Sequence, residues 1–183
     1  MEGRNLGLVP TDIAYDQVKL YNYFKQLSTS MLEDSPVTYR EMFPDFTGNT
    51  ISELKQWLKE NGKSSHRRTD IIAYPDVNHE SVKPVMDQIR EKNWTTGIVA
   101  FFMQKKGEDV AEHSDYPYRK GSLLMLPIIH DEFQPTNAVT YYTEGESYRV
   151  TEPCIMDVMK KHGVKNIDGD RLMLHIELPE MTL

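Results

Sequence analysis

His162-Gly163-Val164-Lys165-Asn166-Ile167-Asp168-Gly169-Asp170-Arg171-Leu172-Met173-Leu174-His175-Ile176-Glu177-Leu178 is the stretch whose reading decides the fold. It reads as the end of one strand, a tight Asp168-Gly169 hairpin turn, and a second strand that opens on an arginine. Strand side chains alternate, so Leu172, Leu174, Ile176 and Leu178 share one face while Arg171, Met173, His175 and Glu177 share the other. An apolar face of this kind is expected beneath helices. The opposite face then carries a guanidinium into the interior of a β-roll.

Working back from that strand, the chain from about Trp94 onward has one texture. Thr96 to Met103 is β-branched and aromatic, and Lys105 to Asp109 makes a polar turn around Gly107. Strand-like pieces follow at His113–Tyr116, Leu123–Ile129, Ala138–Thr143, Tyr148–Val150, Cys154–Lys160 and Arg171–Leu178. Turn residues separate them, at Pro135-Thr136-Asn137, Glu144-Gly145-Glu146 and Asp168-Gly169. Many short strands with regular turn signals point to a sandwich or jelly roll.

Before residue 94 the periodicity is helical. Leu20, Phe24, Leu27 and Met31 fall on one helix face. A second helix is marked at both ends. Thr50-Ile51-Ser52-Glu53 has capping-box spacing, Ile51, Leu54 and Leu58 make the stripe, and Asn61-Gly62 supplies the stop. A third carries Val82, Val85, Met86 and Ile89, with Pro84 in its first turn. Between these two, Ile71 to Tyr74 reads as a short strand. The whole is expected to be one α+β, mainly β domain, with residues 1–93 as a helix-rich support and residues 94–183 as the β-roll.

The bulk numbers set bounds. At 183 residues, with 39% hydrophobic and 27% charged residues, the chain can bury one sizeable core and reads as an ordinary soluble globular protein. A net charge of −7 disfavours nucleic acid as a partner, and the short basic run Lys63 to Arg68 reads as a solvated loop. Cys154 is the single cysteine, so neither an intrachain disulfide nor a cysteine-based zinc site can form, which fits a reducing cytoplasm. No secretory signal pattern is visible, and Leu123 to Ile129, the longest apolar run, is far too short to span a bilayer.

Upstream of the opening stretch lies His113-Ser114-Asp115. On a strand, a spacing of two sends His113 and Asp115 to the same face, as two corners of one coordination sphere require. With 6 histidines and 28 acidic residues such a triplet carries little weight alone. His162 and Arg171, following in that order on separate strands, change this. Two imidazoles and a carboxylate on one face of an octahedron leave positions open for a chelating 2-oxo acid and dioxygen. Arg171 can take the far carboxylate of such an acid as a bidentate fork.

The pattern His113-x-Asp115, His162-Gly163-Val164-x-Asn166 and Arg171 opening the last strand resembles the Fe(II)/2-oxoglutarate-dependent dioxygenase superfamily. The resemblance covers about residues 97 to 178. Arg119 to Ser122 leading into an apolar strand, and Tyr141-Tyr142 before Gly145-Glu146, resemble its small prolyl-hydroxylase-like members. The resemblance implies a double-stranded β-helix core, with His113, Asp115 and His162 as Fe(II) ligands and Arg171 as the 2-oxoglutarate anchor. It further implies O₂ as oxidant, hydroxylation of an unactivated C–H bond with release of succinate and CO₂, and no catalytic residue beyond the metal ligands. Asp115 implies hydroxylation rather than halogenation, since related halogenases leave that ligand position vacant. Many relatives carry a small hydroxyl residue two positions after the arginine, where this chain has Met173. Relatives often have a polar residue in the strand after the aspartate, where Leu123 to Leu126 are apolar. The second partner of 2-oxoglutarate is then assigned to Tyr141, with Tyr142 and Tyr118 as alternates. The implied substrate is a peptide or amino-acid side chain, with no membrane partner.

Two other functions fit parts of the pattern. A zinc-dependent hydrolase could use the same two histidines and aspartate, but it would need a positioned general base and would not need Arg171. A non-catalytic jelly-roll binding module would need no metal at all. Among the other histidines, His130-Asp131-Glu132 reads as loop charge, His66 as part of the basic loop and His79 as a helix-start residue. His175 reads as a hydrogen-bonded core histidine. Tyr15, Tyr21, Tyr23 and Tyr39 read as helix packing.

Overall fold

A computed structural model describes residues 7–32, 35–61, 70–106, 110–114, 120–129, 139–143, 146–165 and 169–183. The N-terminal half runs β1 (Leu8–Pro10), α1 (Gln17–Gln26), β2 (Ser30–Leu32), α2 (Pro36–Met42), α3 (Ile51–Glu60), β3 (Asp70–Ala73) and α4 (Lys83–Glu91). Strands then follow as β4 (Val99–Gln104), β5 (Val110–His113), β6 (Ser122–Ile128), β7 (Val139–Thr143), β8 (Glu146–Val150), β9 (Cys154–Asp157), β10 (His162–Lys165) and β11 (Arg171–Leu178).

Among the described residues the strands form a 7-stranded sheet, β1-β9-β6-β11-β4-β3-β2, and a 4-stranded sheet, β5-β10-β7-β8. From β4 onward the chain winds between the two, with β4, β6, β9 and β11 in the larger and β5, β7, β8 and β10 in the smaller. The neighbours pair antiparallel throughout. This winding is the double-stranded β-helix expected from the motif pattern.

β10 and β11 do not pair with each other as the expected Asp168-Gly169 hairpin requires. β10 lies between β5 and β7, whereas β11 lies between β6 and β4, so the chain crosses from the smaller to the larger sheet between them. A hairpin would have kept both strands in one sheet and left the leucine face of β11 without its helices. Instead Leu172, Leu174, Ile176 and Leu178 pack with Leu20 and Phe24 of α1 and Val85 and Ile89 of α4. Each such side chain, once fully buried, contributes about 1.5–3 kcal/mol.

The apolar run of β6 has the same explanation. Leu124, Leu126 and Ile128 join the cluster beneath the helices, while Leu123 and Met125 join Met173, Met156, Tyr141 and Val164 inside the roll. A strand buried on both faces reads as continuously apolar, without alternation.

The N-terminal half contributes more strand than its periodicity shows. β1, β2 and β3 extend the larger sheet at its two edges. Met31, expected on the helix face of Leu20 and Phe24, lies in β2 and is exposed. α1 ends at Gln26 because Leu27 takes an extended backbone, and the Ser28-Thr29-Ser30 run that follows favours local hydrogen bonding over helix. α3 begins as expected, with Thr50 Oγ1 accepting from Glu53 N–H at 3.1 Å and the Glu53 carboxylate accepting from Thr50 N–H at 2.9 Å. Tyr21 and Tyr23 are buried in the cluster under the helices. Tyr39 joins Phe46, Leu54 and Leu58 in a separate cluster on α2 and α3. Among the described residues no helix is long and apolar enough to cross a membrane.

Candidate metal and cosubstrate site

His113 closes β5 and His162 opens β10, and the strand register sets them directly opposite one another. Directly opposed side chains in an antiparallel pair share a face. Here the ring centroids are 4.7 Å apart with the planes at 55°, and both imidazoles are buried, at 7% and 3% exposure. His162 Nδ1 lies 2.9 Å from the Lys160 carbonyl. A carbonyl can only accept, so Nδ1 carries the proton and the ring's lone pair sits on Nε2. That is the tautomer of an imidazole prepared to ligate a metal through Nε2 with its other nitrogen anchored.

One turn holds the chain beside both rings. Asp157 Oδ1 accepts from Met159 N–H at 2.9 Å, and the Asp157 carbonyl accepts from Lys160 N–H at 3.3 Å. The turn presents the Lys160 carbonyl to His162 and the Met159 carbonyl to Ser114 Oγ, which donates at 2.9 Å. Neither Ser114 nor Asp157 stands out in the sequence as a site residue. The run Cys154–Lys160, expected as one strand, ends at Asp157, whose carboxylate closes an Asx-turn onto Met159 N–H.

Gly163 is required by its neighbour. A Cβ there would lie 2.2 Å from Tyr142 Cζ, because the Tyr142 ring covers the outer surface of β10 beneath Lys165 Nζ, 5.0 Å from the ring centroid. A Gly163→Ala protein must swing that ring aside. The expected cost is about 1–3 kcal/mol, read as a lower denaturation midpoint at unchanged slope.

Arg171 is 3% exposed and points inward. Its Nη1 donates to the Lys165 carbonyl at 2.7 Å and its Nη2 to Gln104 Oε1 at 2.6 Å. Asp170, the neighbour of Arg171 in the chain, accepts from Lys106 N–H at 2.9 Å and pairs with Lys105 Nζ at 3.3 Å. The β-branched and aromatic run ends at Met103, so Gln104 carries no strand signal of its own, although alternation puts it on the inward face two positions after Phe102.

Tyr141 is 5% exposed and packs inside the roll opposite Val164, with its ring centroid 6.0 Å from that of His162. Its alternate Tyr142 takes the opposite face, over Gly163, and Tyr118 lies outside the described residues. Asp115 also lies outside them. The strand expected to carry it through Tyr116 ends at His113, so strand alternation does not fix where position 115 points. Among the described residues no group of three His, Cys, Asp or Glu side chains gathers around one point.

Two further histidines, His175 and His79, are among the described residues. His175 faces inward and stacks on Phe102 at 4.7 Å. His79 stacks on Tyr23 at 3.6 Å and accepts from Ser81 N–H at 3.1 Å. His66, His130-Asp131-Glu132 and the basic run of residues 63–68 lie outside the described residues. Burial pushes the Cys154 thiol up to about 12, so it stays protonated near neutral pH and offers no thiolate to a metal.

No family model and no curated protein matches the chain by sequence. Solved structures do match it. A 2OG-Fe(II) oxygenase family oxidoreductase from Burkholderia pseudomallei superposes with a TM-score of 0.57 at 9% identity, over 96% of this chain and 86% of that one. The viral collagen prolyl hydroxylase of Paramecium Bursaria Chlorella virus-1, solved as a 2OG complex, gives 0.54 at 11% identity, over 93% of this chain and 94% of that one. The chain thus has the double-stranded β-helix fold of the 2OG-Fe(II) oxygenases.

Proposed function

We propose that this protein is an Fe(II)- and 2-oxoglutarate-dependent oxygenase that hydroxylates an unactivated C–H bond, with a peptide or amino-acid side chain as its substrate class. The observation that carries the reading is the buried pair His113 and His162, in cross-strand register with ring centroids 4.7 Å apart, in a roll that also buries the Arg171 fork. In this reading His113, His162 and Asp115 hold the iron. Bound there, Fe(II) supplies the activation of O₂ that accompanies conversion of 2-oxoglutarate to succinate and CO₂.

The chain's own residues do the rest. The Lys160 carbonyl keeps the His162 proton on Nδ1 and so keeps the ring aligned. Arg171 binds the far carboxylate of 2-oxoglutarate. It is tied to the carbonyl of Lys165, three residues along β10 from His162, which at about 3.3 Å per residue is about 10 Å away. That span suits a five-carbon dicarboxylate with a metal bond at one end and a hydrogen bond at the other. Tyr141, beside His162, contacts the same cosubstrate, while Val164, Met125 and Met173 supply an apolar wall that excludes water.

The test is anaerobic mixing of the protein with Fe(II) and 2-oxoglutarate, followed by a screen of peptides and free amino acids for succinate release. A weak visible charge-transfer band is expected on mixing, and succinate above the uncoupled background with the right substrate. A hydrolase or a binding module gives neither, so absence of the band rejects the oxygenase.

A further inference from the structure

We infer that Gln104 is a second donor to the far carboxylate of a dicarboxylic 2-oxo acid, standing beside Arg171 and supplying what Met173 cannot. The inference rests on the oxygenase reading and deepens it, by naming what selects a dicarboxylate at the inner end of the site.

Gln104 is the last residue of β4 and lies directly opposite Arg171 in the β4–β11 register, as Phe102 lies opposite Met173. Opposed residues share a face, so the amide projects into the roll with the guanidinium. Its orientation is fixed by chemistry. Arginine only donates, so the group 2.6 Å from Nη2 must be the amide oxygen, and the Nε2 amino group then points away from the guanidinium. Among the described residues Nε2 makes no hydrogen bond.

Gln104 therefore accepts one guanidinium N–H and offers two N–H groups of its own next to the same charge. Met173, two positions after Arg171 on the same inward face, has only a thioether and packs with Met125 and Met156. A carboxylate has more acceptor sites than one arginine fork fills, and an amide donor beside the fork fits one of them.

The test uses N-oxalylglycine, an inert analogue of 2-oxoglutarate, and its far-end carboxamide. Both are titrated calorimetrically into Mn(II)-loaded protein. Gln104→Leu is expected to weaken N-oxalylglycine about tenfold, with Mn(II) affinity unchanged. In Gln104→Glu the amide donor becomes an acceptor. The acid analogue is expected to weaken about a hundredfold, while the carboxamide binds about tenfold tighter than it does to the wild type.

That gain is the deciding observation, since a residue that merely orients Arg171 can lose affinity on substitution but cannot gain it for the amide. No gain for the carboxamide in Gln104→Glu, or an unchanged acid affinity in Gln104→Leu, overturns the inference while the oxygenase reading stands. A wild type that gives no charge-transfer band with Fe(II) and 2-oxoglutarate removes both.

Discussion

A His162→Ala protein is expected to fold, to lose the visible band with Fe(II) and 2-oxoglutarate, and to release no succinate. The backbone of β10 is held by its pairing with β5 and β7, through Val164↔Val110, Gly163↔Tyr142 and Lys165↔Thr140, none of which needs the imidazole. What the substitution removes is a buried ring whose proton is fixed on Nδ1 by the Lys160 carbonyl. Loss of only an outer partner of a metal ligand costs about 10–100-fold in metal affinity. On the proposed ligand set, loss of the ligand itself is expected to cost more than loss of its outer partner. Circular dichroism separates this outcome from unfolding, and Mn(II) titration reads the site directly. A His162→Ala protein that keeps its metal affinity and its band would show that the ion sits elsewhere.

The parts of this site that could be read from sequence are those encoded locally. Alternation along Arg171–Leu178 assigns every side chain of that strand to the face it takes, because a period of two is set by the backbone alone. The Thr50–Glu53 cap is legible for the same reason, since donor and acceptor lie within one turn. Which sheet a strand joins is a different kind of fact. Asp168-Gly169 signals a change of direction, but whether the chain folds back on β10 or crosses to β6 and β4 depends on apolar faces contributed from elsewhere in the chain.

Gln104 shows the same limit at the level of function. In sequence it is a polar residue at the end of an apolar run. Its meaning comes from standing opposite Arg171, and that register is created only when β4 and β11 pair. The short edge strands β1 and β2, each of three residues, are too brief to display any period. α2 is also short, though Ser35 before Pro36 was a usable start signal. His113 and Asp115 lie at the limit of local reading. Their spacing reads as strand alternation, but β5 ends at His113, Ser114 Oγ donates to the Met159 carbonyl, and Asp115 lies outside the described residues.

Arg171→Leu is expected to leave the metal site intact and to abolish useful affinity for 2-oxoglutarate. Two charge-assisted hydrogen bonds to a carboxylate contribute about 3–6 kcal/mol together, so the affinity should fall a hundredfold to ten-thousandfold. The fold should also weaken, because the Lys165 carbonyl and Gln104 Oε1 each lose a donor, at about 1–3 kcal/mol for each acceptor left buried without a replacement. Arg171→Lys separates charge from shape. An ammonium keeps the positive charge, yet it cannot bridge two acceptors held on either side of a planar fork and still face a carboxylate. Its affinity for 2-oxoglutarate should lie between those of the wild type and Arg171→Leu. Mn(II) titration of all three proteins should give the same metal affinity, in contrast to His162→Ala, which loses the metal itself. If Arg171→Leu instead bound 2-oxoglutarate as tightly as the wild type, the fork would be a structural clasp between β4, β10 and β11, and the dicarboxylate would have to be anchored elsewhere in the roll.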